Sequence, residues 1–225
     1  MDNANLQNSE EKQETMTNQT TEKQPDETSG IFVQGHLKIF DPETKEVFLD
    51  KRNAIHYENF SKALAKAVSN QGSGWISEMC FGNGGTRVDP TGIITYLTPN
   101  TAGLGANLYN QTYIKNVDIQ STSDLDPARN FMEVRHITGT AYTDVLVSCL
   151  LDFGEPQGQL AFDNATQLNS DFVFDEIGLR GYSVNGAGTG DLLTHVIFHP
   201  VQKSLNRMLQ IDYTVRIQAL TNITG

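Results

Sequence analysis

From Leu209 the chain alternates without a break. Leu209, Ile211, Tyr213, Val215 and Ile217 are apolar, and Gln210, Asp212, Thr214 and Arg216 between them are polar. Successive side chains of a strand point to opposite faces, so this run predicts a strand with one face in a core and the other in water or against a partner. Two shorter runs, Leu37-Lys38-Ile39-Phe40 and Glu46-Val47-Phe48-Leu49, flank Asp41-Pro42-Glu43-Thr44-Lys45. Proline presets φ for a turn and Asp41 can bond the backbone ahead of it, which predicts a β-hairpin. The alternating run lies in a strand predicted at 207–218, and further strands are predicted at 75–81, 113–117, 131–138, 142–151, 159–162, 172–179 and 192–198, while between 83 and 110 only Ile93-Ile94-Thr95-Tyr96 looks ordered. Phe60, Ala63, Leu64, Ala67 and Val68 recur at the spacing of one helix face, with Gly72 placed to end the helix. Leu64 and Ala67 are expected to pack that helix on the sheet. Strands spaced by turn signals, with one helix, predict a mainly β fold: an antiparallel β-sandwich with one short α-helix.

Composition divides the chain in two. Residues 1–30 hold only Met1, Ala4, Leu6 and Met16 as apolar side chains and carry seven acids against two lysines. Such a segment buries too little apolar surface to offset the entropy of ordering it. It is expected to be a tail, disordered alone and ordered only along a neighbouring subunit. Residues 31–225 are expected to form a single domain, with a long loop at about 82–112.

Charge and cysteine content narrow the partners. The formal net charge is −11, and residues 31–225 show no basic stripe, so neither nucleic acid nor an anionic membrane is an expected partner. No run approaches the ~20 apolar residues of a spanning helix. The N-terminus lacks the basic start and apolar core of a signal peptide, so synthesis in a reducing cytoplasm is expected. Cys80 and Cys149 sit in apolar strands and read as buried free thiols.

Candidate chemistry is thin. Gly82-Asn83-Gly84-Gly85-Thr86 has the look of a phosphate cradle, but no Lys follows and Arg87-Val88-Asp89-Pro90 cannot open a helix, so a tight turn with positive φ is expected. Gly186-Ala187-Gly188-Thr189-Gly190 reads as a flexible connection. Asp124-Leu125-Asp126-Pro127 is too short for an EF-hand loop. His195 and His199 flank Val196-Ile197-Phe198 in a predicted strand, roughly 13 Å apart at ~3.3 Å per residue, too far to share one zinc. His36, His56 and His136 are scattered, and no nucleophile elbow is present. No catalytic, metal-binding or cofactor-binding residues are expected.

The stretch from Gly35 to Thr86, with its hairpin, its Asn53-Ala54-Ile55, its helix and its Phe81-Gly82-Asn83-Gly84-Gly85-Thr86, resembles a module of tailed-bacteriophage virion proteins, including those of marine and cyanobacterial phages. The C-terminal third extends the resemblance. Phe174-Asp175-Glu176-Ile177-Gly178-Leu179, then 192–201 with Pro200, then Lys203 and the alternating last strand, are similar to a pattern of phage tail and baseplate proteins. Pro200 is expected to end one strand and open the connection to the next. The resemblance implies a virion structural protein without enzymatic activity, assembled in multiple copies at the tail, baseplate or neck, with other virion proteins and copies of itself as partners. A capsid decoration protein is one alternative. A host-surface carbohydrate-binding module is another, with Tyr96, Tyr109 and Tyr113 beside the long loop as its aromatics.

Residues 97–130 match nothing in that family. The loop from Gly82 to Tyr113 is apolar enough to need cover, and it is expected to project from the sandwich and contact a neighbouring subunit. Its candidate interface residues are Gly84, Gly85, Ile93, Ile94, Tyr96, Leu104, Leu108 and Tyr109.

Overall fold

The computed structural model describes residues 29–103, 105–118, 127–159 and 172–221. Its centre is the alternating last strand, β11 (Leu209–Thr221), which lies between β1 (Ser29–Phe40) and β8 (Tyr142–Leu151), antiparallel to both. Leu37 and Val147 flank Tyr213 across these two ladders, and Ile39 and Cys149 flank Ile211. β1 turns back into β2 (Val47–Ile55), and β8 carries β7 (Phe131–His136) on its far side. A second group pairs β6 (Gln111–Asn116), β3 (Ile76–Gly82), β9 (Val173–Gly181) and β10 (Thr194–Gln202) in that order.

Two ladder pairs, Thr194 with Ile55 and His195 with Ala54, and the His56 amide on the Leu193 carbonyl (2.9 Å) join the groups into one nine-stranded sheet. The sheet folds over at this narrow seam. Leu37, Ile39, Ile211 and Tyr213 from one group and Met79, Phe81, Ile177 and Leu179 from the other share a single core. At the open side, Lys115 Nζ on β6 donates to the Leu150 carbonyl of β8 at 2.6 Å. The result is the expected antiparallel sandwich.

Local chemistry explains the elements. Asp41 Oδ1 accepts the amides of Glu43 (2.8 Å) and Thr44 (3.0 Å), which fixes the β1–β2 turn. Gly35 on β1 faces Asn53 on β2, and a Cβ there would overlap the Asn53 amide. That amide donates to the buried Tyr213 hydroxyl. The absent side chain at Gly35 therefore makes room for a hydrogen bond inside the core.

Three expectations are corrected, and a fourth falls outside the described residues. β1 starts at Ser29, so Ser29 and Gly30, placed in the tail, belong to the sheet; residues 1–28 lie outside the described ones. α1 (Tyr57–Val68) is anchored by Asn59 and Phe60, while Val68 is 82% exposed, Ala67 is exposed and Leu64 is half-buried. The helix docks by its first turn, because His56 caps it from within the sheet seam. Pro200 does not end a strand: β10 runs through it at an irregularity between Ile197 and Val201, where no ladder bond needs its missing N–H. Of the strand expected at 159–162, only Gln159 is described.

Candidate functional site

β9 is buried on both faces, which a two-layer sandwich alone does not require. Ile177 and Leu179 enter the core, so the alternate positions Glu176, Gly178 and Arg180 turn outward. There the chain that follows the glycine cluster lies across them. Leu108, Cys80 and Leu192 form a small apolar cluster under this cover, with Ala106 and Ile114 packed beside it.

Beneath the cover the charged groups of β9 are held by hydrogen bonds. Glu176, 0% exposed, accepts four hydrogen bonds. Oε1 takes the amides of Asn110 (2.7 Å) and Gly84 (3.1 Å); Oε2 takes the amide of Tyr109 (2.9 Å) and His195 Nε2 (3.0 Å). Burial works to raise this carboxyl, but the donors outweigh it and hold it below the usual carboxylate range, His195 foremost and then the Asn110 and Tyr109 amides. The other ring nitrogen, His195 Nδ1, accepts the Asn100 amide at 2.8 Å. The tautomer is thereby fixed, with the proton on Nε2.

The neighbouring anchors repeat the device. Asp175 Oδ1 accepts the Gly85 amide (2.8 Å), and Oδ2 accepts the Thr86 amide (2.8 Å) and the Thr86 hydroxyl. Burial pushes the Asp175 carboxyl up, against these bonds. Arg180 donates to Gln111 Oε1 (3.0 Å), the Gly190 carbonyl (2.7 Å) and Asn107 Oδ1. His56 Nδ1 accepts the Asn59 amide (3.2 Å) and Nε2 donates to the Gly103 carbonyl (3.0 Å). Glu78 Oε2 accepts the Gly188 amide at 2.9 Å.

The glycine cluster is thus an anion cradle whose anions are the protein's own. The amides of Gly84, Gly85 and Thr86 go to Glu176 and Asp175, and none of Gly82, Gly84 and Gly85 has positive φ, which corrects the expected tight turn. Glycine is required by closeness instead: a Cβ at Gly82 would overlap the Asn110 carbonyl, and one at Gly84 would lie 2.7 Å from Asn110 N. The second cluster is likewise no loose connection, since Gly188 and Gly190 are held by Glu78 and Arg180.

The candidate interface residues separate into two sets. Gly84, Gly85 and Leu108 serve the chain's own sheet, so the stem of the loop folds back over β9 and does not project. Its outer part is a two-stranded hairpin of β4 (Thr86–Val88) and β5 (Ile94–Tyr96), with Ile94 half-buried. There Ile93 is 62% and Tyr96 54% exposed, and Val88 is exposed as well; Tyr109 belongs to the stem, its ring exposed and its amide on Glu176. Leu104 lies outside the described residues, as does most of Asp124-Leu125-Asp126-Pro127. The three tyrosines do not meet on one platform: Tyr96 bonds His199 (3.2 Å), Tyr109 packs on His195 (ring centres 5.7 Å apart) and Tyr113 on Phe81 (5.9 Å).

Charged residues inside the apolar strand at 172–179 were the sequence signal for this buried layer. Most of their partners are backbone amides of distant loops, which no side-chain pattern reveals. Among the described residues no three His, Cys, Asp or Glu side chains are grouped to hold a metal, and no helix is long and apolar enough to cross a membrane. Comparison of the chain with protein-family models, with curated proteins and with solved structures finds no match.

Proposed function

We propose that this chain is a non-enzymatic structural protein of a tailed-phage virion, made in the host cytoplasm and assembled in multiple copies at the tail, baseplate or neck. Its partners are other virion proteins and copies of itself. One observation carries the reading. The two motifs behind the family resemblance, Phe81–Thr86 and Phe174–Leu179, stand far apart in sequence but pair with each other: Phe81 faces Ile177, Gly82 faces Glu176, and the amides after Gly82 bind Asp175 and Glu176. Two resembling segments that form one device support a shared module better than either does alone. The exposed Val88, Ile93 and Tyr96 of the β4–β5 hairpin supply a surface for a neighbour.

Antibody labelling of purified particles, followed by image averaging, is expected to place the chain on the tail, baseplate or neck. Label on the head exterior would replace this with the decoration reading, and particles carrying no copy would end both. One observation favours the host-glycan reading. Trp75 and Tyr182, both partly exposed, stack at 4.7 Å and 21°, and Trp75 Nε1 donates to Asp118 at 3.1 Å. Such a fixed aromatic pair beside a carboxylate suits a sugar ring. Glycan-array binding that is lost in Trp75→Ala would establish it, and an array without signal would remove it.

A further inference from the structure

β1 pairs with β11 along its whole length, from Ser29 opposite Thr221 to Phe40 opposite Gln210, but with β2 only from Gly35 onward. At that point β2 leaves it, and Ala54 and Ile55 pair with β10. Along residues 29–34, therefore, the backbone groups that point away from β11 have no strand partner among the described residues. β8 pairs with β11 as far as Gln218 opposite Tyr142, and the Ala219 amide still donates to the Ala141 carbonyl at 2.8 Å, so Ser29 and Gly30 with Leu220 and Thr221 continue as a two-stranded ribbon. Ile31 is 61% exposed, Phe32 42% and Leu220 45%. A lone two-stranded ribbon is marginal in water.

The edge is also undefended. Ser29-Gly30-Ile31-Phe32-Val33-Gln34 contains no charge and no proline. The outermost strands of the sheet differ: β6 carries Lys115, and β7 carries Glu133, Arg135 and His136. Charge on an edge strand blunts pairing with another chain, and this one stretch lacks it.

We infer that residues 29–34 of β1 are a self-pairing edge through which two copies of this chain join antiparallel about a two-fold axis. A second copy is the occupant the edge itself specifies. An antiparallel pair of identical strands is self-complementary, and in a chain of net charge −11 this stretch sets no like charges opposite one another. The open length bounds the register, because β2 occupies the edge from Gly35. Centred on Phe32, the pairing sets Gly30 opposite Gln34 of the second copy and Ile31 opposite Val33, keeping each pair on one face. The inference rests on that part of the proposed function in which copies of the chain meet, and not on which part of a particle they build.

The full chain is expected to elute in light-scattering chromatography at about twice its 24.9 kDa mass. Ile31→Lys and Phe32→Lys should each halve the mass and leave a monomer that still unfolds cooperatively, since both side chains are exposed on the single chain. Under mild oxidation Phe32→Cys should give a disulfide-linked dimer and Val134→Cys on β7 should not. A monomer at every concentration, a dimer indifferent to both lysines, or cross-linking at Val134→Cys in place of Phe32→Cys would overturn the inference. If either lysine variant melts early, the cysteine pair decides. Particle labelling does not depend on this contact, so either result stands when the other fails.

Discussion

Glu176→Gln isolates the buried anchor of the loop. The substitution keeps the shape and turns one acceptor oxygen into an NH2 donor. Each oxygen of Glu176 receives two hydrogens, from Asn110 and Gly84 or from Tyr109 and His195. Either placement of the NH2 therefore sets it against two donors. His195 cannot absorb the change by switching tautomer, because its Nδ1 already accepts the Asn100 amide. Two charge-assisted hydrogen bonds at about 1.5–3 kcal/mol each are lost, and removing a buried charge returns part of that. The expected net loss is about 2–4 kcal/mol. Urea denaturation at neutral pH measures it, and hydrogen exchange should show the Gly84, Tyr109 and Asn110 amides losing protection first. The folded carboxyl lies below its unfolded value, so its contribution is present above about pH 4.3 and is lost as pH falls through the folded value. The gap between wild type and Glu176→Gln should close in acid. A loss under about 1 kcal/mol, the scale of an exposed ion pair, with unchanged amide protection would refute the argument.

Gly35→Ala should destabilise by about 1–3 kcal/mol by displacing the Asn53 amide from Tyr213, and Asn53→Ala added to it should recover part of the loss, as measured by a double-mutant cycle. Phe60→Ala should cost about 3–5 kcal/mol and Val68→Ala under about 0.5, because the helix docks by its first turn; equal melting shifts would contradict that orientation. Replacing Asp89–Asn107 by a short glycine–serine linker should sharply lower the melting temperature, since Asn100 and Asn107 are partners of buried His195 and Arg180. An unchanged monomer would show the loop to be independent of its seat. Burial pushes the Cys80 thiol up to about 12, so it should resist thiol reagents near neutral pH until denaturant is added.

The period-two pattern and the turn residues determined what depends on neighbours in sequence. β11 alternates in the fold as it does on paper, β8 spans the residues expected of it, and Asp41-Pro42 makes its turn. Both cysteines lie buried and no disulfide joins them, as two isolated thiols in apolar strands implied. Burial and periodicity are local signals, and they survive folding wherever one face of a strand meets one core. β1 began earlier than expected because Ile31-Phe32-Val33 has no polar alternation to announce a strand, and only pairing with the end of β11 makes it one.

Tertiary structure decided the rest. Asp175, Glu176 and Arg180 look like surface charges misplaced in a strand until Gly85 and Thr86 are brought to the first and the chain from Asn107 to Gln111 returns to offer the other two amides and amide side chains. Gly82, Gly84 and Gly85 read as a turn because sequence gives glycine's conformational freedom and hides the backbone that presses against it. The helix face was misjudged for the same reason. Spacing shows which residues share a side, and the seam where His56 sits determines which end of that side is buried. A hydrogen bond from a distant amide leaves no mark on either segment alone, so the buried polar layer existed only once the fold had brought both to it.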